Sequence, residues 1–211
     1  MSDDLKFRGH VERAWARANQ MLGQIKHVIT FRNGQVMKLL YVPVVRPHLE
    51  YANVVWHPKY RYQIEQMEAV QRRALKIIPE LKQMMYQELL KTLGLPSLMV
   101  RRFRGDSIEL YKYISGRYNV DSLGHLRTDR EAQFVTRGHQ LRLQKQRFRT
   151  DIRRNYFTNR MVNSWNKLPM DVVMSQTVNE FKGRFDRHWS KAQTSTESEA
   201  FYSQLQVYDL M

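Results

Sequence analysis

Two adjacent carboxylates, Asp3 and Asp4, are the first residues of this 211-residue chain whose type and spacing could do chemistry. Such a pair can hold catalytic Mg²⁺ when it stands in a turn between apolar strands and a further carboxylate completes the site. Only Met1 and Ser2 precede the pair, so no apolar strand leads into it. The sequence therefore favours an exposed, non-catalytic N-terminus over a metal site.

His48 and Glu50 are the second candidate pair, because they lie close together among prolines and apolar residues. A buried, hydrogen-bonded pair that holds a turn is the favoured interpretation, and catalysis is the alternative. None of the seven histidines has another four residues away, and the chain has no cysteine, so no metal site is predicted. The glycine patterns of phosphate-binding loops and nucleophile elbows are also missing from the sequence. Residue chemistry alone predicts a non-catalytic protein without a cofactor.

Basic residues give the sequence its strongest functional signal. The chain has 35 Lys and Arg against 20 Asp and Glu, a formal net charge of +15. The excess is densest over residues 137–160, where arginines alternate with aromatic residues such as Phe148 and Tyr156. Guanidinium groups suit phosphates and aromatic rings can stack on bases, so this mixture indicates a nucleic-acid partner. The alternative is a basic surface that is merely solvated.

Composition excludes several other classes of protein. Without cysteine there can be no disulfide, thiol nucleophile, iron–sulfur cluster or Cys-ligated zinc module. The longest apolar run, residues 39–45, is too short to cross a bilayer, and the N-terminus does not resemble a signal peptide. We therefore expect an intracellular protein without a membrane partner, with nucleus and cytoplasm both open.

The positions of apolar residues predict a mainly α-helical fold. Predicted helices cover residues 9–29, 36–43, 61–78, 86–93, 98–114 and 153–168, and a last one follows the capping box Thr177-x-x-Glu180. Ser97 is the expected N-cap, and Gly94 the expected C-cap, of neighbouring helices. Pro43 and Pro47 are expected to limit continuous helix. Alternation of polar and apolar residues over 139–144 is the one strand signal.

A series of short segments, in this order along the chain, carries a family resemblance. They are Ser2-Asp3-Asp4-Leu5-Lys6-Phe7, Val45-Arg46-Pro47-His48-Leu49-Glu50-Tyr51-Ala52 with Val55-Trp56, Ile64-Glu65-x-x-Glu68-x-Val70-Gln71-Arg72-Arg73-Ala74, Leu93-Gly94-Leu95-Pro96-Ser97-Leu98, Arg101-Arg102-x-Arg104-Gly105-Asp106 with Tyr111-Lys112, Thr136-Arg137-Gly138-His139, Arg153-Arg154-Asn155-Tyr156-Phe157, Arg160-x-Val162-Asn163-x-Trp165-Asn166-x-Leu168-Pro169, and the helix from Phe181 to Trp189. Together they cover about residues 2–190. This combination resembles the C-terminal part of reverse transcriptases from non-LTR retrotransposons, the LINE elements of the jockey and chicken-repeat kind.

The resemblance implies a thumb, the helical bundle that grips the template–primer duplex in that family, followed by a C-terminal extension. The palm loop with its aromatic-Ala-Asp-Asp motif has no counterpart in the sequence, and neither do the fingers or the endonuclease domain. Asp3 and Asp4 match the segment that follows the palm, so they do not replace its metal carboxylates. The chain is therefore expected not to be an enzyme on its own.

The expected fold is mainly α, with a helical thumb-like bundle over residues 1–116 and a loop or linker over 117–136. A smaller basic helical region with at most a short strand or hairpin is expected over 137–191. Residues 192–211 are expected to be a disordered tail. Arg46, His48, Glu50 and Tyr51 are assigned to a turn that fixes two thumb helices.

Resemblance and charge together predict a protein that binds RNA, DNA or RNA–DNA hybrid duplex by backbone contacts, without reading the sequence. The expected contact residues are Arg72, Arg73, Arg101, Arg102, Arg104, Arg137, Arg142, Arg147, Arg149, Arg153 and Arg154. One alternative is a protein–protein module that docks a partner such as the missing palm and fingers through Trp15, Trp56, Trp165 and Trp189. Another is an inert product of a truncated element.

Overall fold

The computed structural model describes residues 7–118 and 139–194, and most of this part of the chain is helical. In chain order the helices are α1 (Arg8–Val28), α2 (Gly34–Leu40), α3 (Arg46–Glu50), α4 (Asn53–Trp56), α5 (Arg61–Leu75), α6 (Tyr86–Leu93), α7 (Leu98–Ile114), α8 (Asp151–Arg154), α9 (Phe157–Asn166), α10 (Met170–Val173) and α11 (Val178–Thr194). A π-helical turn (Tyr41–Val45) joins α2 to α3, and a short 3₁₀-helix (Pro79–Leu81) precedes α6. The described residues contain no strand, so the prediction of a mainly α fold is confirmed.

Two compact units make up the chain, residues 1–103 and residues 104–211, and the division falls within α7. The predicted linker lies outside the described residues from position 119 onward, and the predicted tail does so from position 195 onward. The linker and the tail therefore stay predictions.

The first unit is built around the apolar face of α1, which packs against α3, α5 and the π-helical turn. Because residues three and four apart share one side of a helix, five residues of α1 point inward together. They are Val11, Ala14, Ala18, Leu22 and Ile25. From α5 the core receives Met67, Val70 and Ala74, which lie three and four residues apart on one side of the helix.

Helical structure continues through Pro43 and Pro47, where the sequence predicted an interruption. Pro43 lies inside the π-helical turn, in which the N–H of Arg46 donates to the carbonyl of Tyr41, five residues back. A π turn accommodates an extra residue within a helix, so the proline ring and its missing N–H are tolerated there. Pro47 lies in the first turn of α3, where a helix does not need that N–H.

Several helix ends follow local signals that the sequence already contains. The Ser97 hydroxyl accepts a hydrogen bond from the N–H three residues on, at 3.2 Å, and Gly94 ends α6 with a φ of 59°. At the start of α11, Thr177 Oγ1 accepts from the N–H of Glu180 at 3.1 Å, and the Glu180 carboxylate accepts from the N–H of Gln176 at 2.7 Å. These caps confirm the predicted starts of α7 and α11 and the predicted end of α6.

In the second unit an aromatic cluster forms the core. Phe181 stacks on Tyr111 with ring centroids 4.4 Å apart, and Trp165 lies 6.1 Å from Phe181. The Tyr111 hydroxyl donates to the carbonyl of Ser175, which ties α7 to the loop before α11. The helix predicted over 153–168 is divided here into α8 and α9. Asn155 lies at the break, and its side-chain amide donates back to the carbonyl of Asp151 at 2.7 Å.

Candidate nucleic-acid interface

Two of the predicted contact residues, Arg101 and Arg104, form bidentate ion pairs with carboxylates of the same chain. Arg101 donates through both Nε and Nη2 to Glu50, with Nη2 2.9 Å from Oε2. Arg104 donates to both oxygens of Asp186 at 2.6 and 2.8 Å. The hydrogen bond to Asp186 raises the pKa of Arg104. A phosphate would have to displace a carboxylate to use either guanidinium group.

Three further predicted contact residues lie in the first unit. The Arg102 side chain is buried, with 1% of its surface exposed, so it does not present a charge to a ligand. Arg72 lies over the ring of Tyr86 at 5.6 Å, and its side chain remains 40% exposed. Arg73 is exposed and lies over the ring of Trp15 at 5.9 Å. Arg72 and Arg73 can therefore meet a phosphate, whereas Arg102 cannot in this conformation.

The remaining predicted arginines belong to the second unit. Arg137 lies outside the described residues, and Arg142 is half-buried. Arg153 donates to Gln146 Oε1 at 2.6 Å and lies over the ring of Tyr156 at 5.2 Å. Arg154 is half-buried, and its Nη1 is a long 3.9 Å from the carboxylate of Asp151.

Between residues 145 and 156 the surface carries cations and aromatic rings together. Lys145, Arg147 and Arg149 are exposed, and none of them forms an ion pair or hydrogen bond with another residue in the described ranges. Phe148 is 39% exposed and Tyr156 is 53% exposed. These five residues are called the basic strip below. Its cations are free to meet phosphates, and its rings are accessible to bases or sugars.

Side chains of α9 hold the chain that leads into the basic strip. The Leu143 N–H donates to Asn166 Oδ1 at 2.8 Å, and Asn166 Nδ2 donates to the Leu143 carbonyl at 2.9 Å. Trp165 Nε1 donates to the carbonyl of Leu141 at 2.8 Å, and His139 Nε2 lies 3.1 Å from the Trp165 carbonyl. The segment 139–144 is thus clamped to α9, with a turn at Gln140 and Leu141 and the Leu143 side chain buried, and the strand that the alternation suggested is not formed.

His48 and Glu50 are not the buried pair that the sequence suggested. Glu50 pairs with Arg101, and Arg46 Nε lies 3.7 Å from the same carboxylate. His48 is half-buried, and Tyr51 is exposed at 79%. Sequence reasoning missed this pairing because Glu50 and Arg101 are far apart along the chain, and it left out Lys145 because it favoured arginine.

Two of the four tryptophans are closed to a docking partner. Trp56 and Trp165 are buried, at 2% and 1% exposure, and each packs in the core of its own unit. Trp15 and Trp189 are half-buried, and Trp15 packs against the core of the first unit. Packing therefore accounts for Trp56 and Trp165, and docking through Trp15 and Trp189 stays a prediction.

Metal ligands and membrane segments can be assessed for the part of the chain that is described. No group of three or more His, Asp or Glu side chains in that part is arranged to hold a metal ion. Asp3 and Asp4 lie outside it. Within the same ranges, no helix combines the length and apolar character needed to cross a membrane.

No protein-family model, curated protein or solved structure matches the chain. The resemblance to reverse transcriptases therefore rests on the sequence segments alone.

Proposed function

We propose that the chain is the thumb-like and C-terminal part of a non-LTR retrotransposon reverse transcriptase. In this role it binds the phosphate backbone of a nucleic-acid duplex. The observation that carries the proposal is the basic strip, because its three cations are exposed and have no carboxylate partner in the described part of the chain. Arg153 and Arg154 lie between its members in the sequence and add two partly exposed charges. About five phosphates could be neutralised in this way.

Phosphate contacts carry no sequence information, so RNA, DNA and hybrid duplexes should bind with little preference for sequence. Neutralising about five phosphates predicts that log K falls with log[salt] with a slope of about −4 to −5. Affinity at physiological salt should be micromolar or weaker. Arg101, Arg102 and Arg104 are given structural roles in this proposal.

A fluorescence-anisotropy titration of a labelled duplex at three salt concentrations tests the proposal. Replacing Lys145, Arg147 and Arg149 by Ala should flatten the slope by about three units, since each contact is worth about one. The matched control replaces three exposed lysines of the first unit, Lys76, Lys82 and Lys91, and removes the same charge. An equal loss in both variants, or a flat salt response of the unmodified chain, would contradict a localised interface.

The proposal includes no polymerase activity for this chain alone, because the sequence has no counterpart of the palm motif. A primer-extension assay with Mg²⁺ should give no product. Extension that is lost on replacing Asp3 and Asp4 by Ala would overturn this part of the proposal.

A further inference from the structure

Two tyrosines at the start of α5 form an exposed stacked pair. The rings of Tyr60 and Tyr62 have centroids 5.7 Å apart and planes inclined by 16°. The two residues are 40% and 48% exposed. Aromatic residues of this size are usually covered, so two that stack on each other at the surface form an unusual feature of the first unit.

The buried side chain of Gln63 holds this pair in place. Gln63 Oε1 accepts from the N–H of Lys59 at 3.1 Å and from the N–H of Tyr60 at 3.2 Å. In return the Gln63 N–H donates to the Tyr60 carbonyl at 2.9 Å. Because Gln63 is 1% exposed, its hydrogen bonds hold this backbone from the buried side. The two rings are therefore positioned before a ligand binds.

Cations surround the tyrosine pair. Lys59 Nζ lies 5.2 Å from the centre of the Tyr60 ring, and Arg61 is exposed. The pKa of the Arg8 guanidinium is raised by its hydrogen bond to Glu12 and next by the phenol of Tyr62.

Beside Tyr62 a shallow depression, called the groove below, lies between side chains of α5 and is wide open to solvent. Its lining consists of Arg61, Tyr62, Glu65, Gln66, Ala69 and Arg72. Gln66 offers an amide that can both donate and accept hydrogen bonds, as the edge of a base requires. Glu65 is 3.7 Å from Arg72 and offsets part of its charge. Lys59, whose Nζ lies over the Tyr60 ring, and the exposed Arg61 are the cations that the pair offers to a ligand.

From this arrangement we propose that the tyrosine pair and its groove bind unpaired nucleobases of single-stranded RNA or DNA. A base would stack on the exposed face of Tyr62, and the flanking phosphates would meet Arg61 and Lys59. Bases in a duplex are already stacked on one another, so their faces cannot use this surface. The site therefore differs in ligand from the basic strip, which would contact duplex backbone. The inference rests on the proposed function only in that the ligand is a nucleic acid.

Binding of two labelled probes to the full chain, a pyrimidine oligonucleotide and a blunt duplex, tests the inference. Tyr62→Leu should weaken binding of the single strand by about tenfold, as expected for one lost stacked base, and leave the duplex unaffected. Tyr62→Phe should retain most of the single-strand affinity, because the ring is kept. Tyr51→Leu is the matched control, since Tyr51 is 79% exposed and does not line the groove.

Thermal melts of all three variants should match that of the unmodified chain, because the ring of Tyr62 is largely outside the core. Unchanged single-strand binding by Tyr62→Leu would overturn the inference, and so would equal losses in the Leu and Phe variants. If the unmodified chain binds the duplex but not the single strand, the inference fails while the proposed function stands. If it binds only the single strand, the proposed duplex interface fails instead.

Discussion

Arg101 of α7 and Glu50 of α3 form a bidentate ion pair, which links the start of α7 to α3. Arg46 also approaches this carboxylate, at 3.7 Å. The pKa of Arg46 is lowered, first by burial and then by the charge of Arg101, while Glu50 acts in the opposite direction. One carboxylate therefore keeps two half-buried guanidinium groups together.

Removing Glu50 should destabilise the first unit. Glu50→Ala leaves Arg46 and Arg101 facing each other without a counter-charge, and the expected loss is about 1–3 kcal/mol of unfolding free energy. His48→Ala should have a smaller effect, because His48 forms no hydrogen bond with another residue in the described ranges. Urea unfolding of both variants decides the matter, with Glu80→Ala, at an exposed position, as the control. Equal stability of Glu50→Ala and Glu80→Ala would show that the ion pair contributes nothing.

In the second unit the ion pair between Asp106 and Arg160 is buried, with side chains 1% and 4% exposed and Nη2 3.0 Å from Oδ2. Asp106→Ala should cost about 3–5 kcal/mol, because it leaves a guanidinium charge buried without its carboxylate. The double variant Asp106→Leu, Arg160→Met should recover much of that loss. Denaturant unfolding measures both, and Asp171→Ala, at an exposed position, is the control. A double variant no more stable than Asp106→Ala would contradict this account.

Two phenols of the first unit should resist ionisation. Burial, followed by the charges of Glu50 and Glu68, raises the pKa of Tyr41, and burial, followed by Glu68, raises the pKa of Tyr86. In the unfolded chain both phenols ionise near pH 10. The contribution of these two phenols to the free energy of unfolding is therefore fully present below about pH 10. It falls as the pH rises above that value, because only the unfolded chain then releases the protons.

An alkaline titration followed by phenolate absorbance checks the expectation. Part of the phenolate absorbance should appear only at the high-pH end of the titration, together with loss of helical circular dichroism. Tyr41→Phe should reduce this late phase, whereas Tyr51→Phe, which removes an exposed phenol, should leave it intact. If all phenols of the unmodified chain ionised in one transition near the ordinary phenol pKa, the expected burial of the two hydroxyls would be contradicted.

Capping residues predicted three helix ends correctly, whereas contacts between distant residues were not predictable. Ser97, Gly94 and Thr177 act on backbone groups within a few residues, so their sequence context contains the whole interaction. Gln71 of α5 has a polar side chain, and no local signal in the sequence predicts its burial. It is 1% exposed, because its side chain accepts from the Tyr41 hydroxyl at 2.7 Å and donates to a distant carbonyl.

The contrast between local signals and distant contacts also explains which part of the candidate interface was predictable. The basic segment was visible from charge density alone, and Arg147 and Arg149 do lie exposed. Which arginines bind carboxylates of the chain itself depends on tertiary packing. Arg104, for example, pairs with Asp186, which lies 82 residues away in the sequence. Charge density therefore predicts a basic region, but only the fold shows which of its cations remain free.

Asn166 should control the mobility of the segment that carries the basic strip. Its side chain makes both backbone hydrogen bonds of Leu143, at 2.8 and 2.9 Å, two residues before Lys145. Asn166→Ala removes both bonds, each worth about 1 kcal/mol, so local opening of this segment should become about tenfold more frequent or more. Trypsin should then cut after Lys145, Arg147 and Arg149 correspondingly faster, as followed by mass spectrometry of the first products.

The control for this experiment is Asn163→Ala, because Asn163 is an exposed asparagine of the same helix. It should leave the cleavage rate unchanged, which separates loss of the clamp from a general effect of the substitution on α9. The Trp165 indole still donates to Leu141 in Asn166→Ala, so the opening should be confined to the chain after that point. If both variants are cut at the rate of the unmodified chain, the Asn166 side chain does not restrain the segment that carries the basic strip.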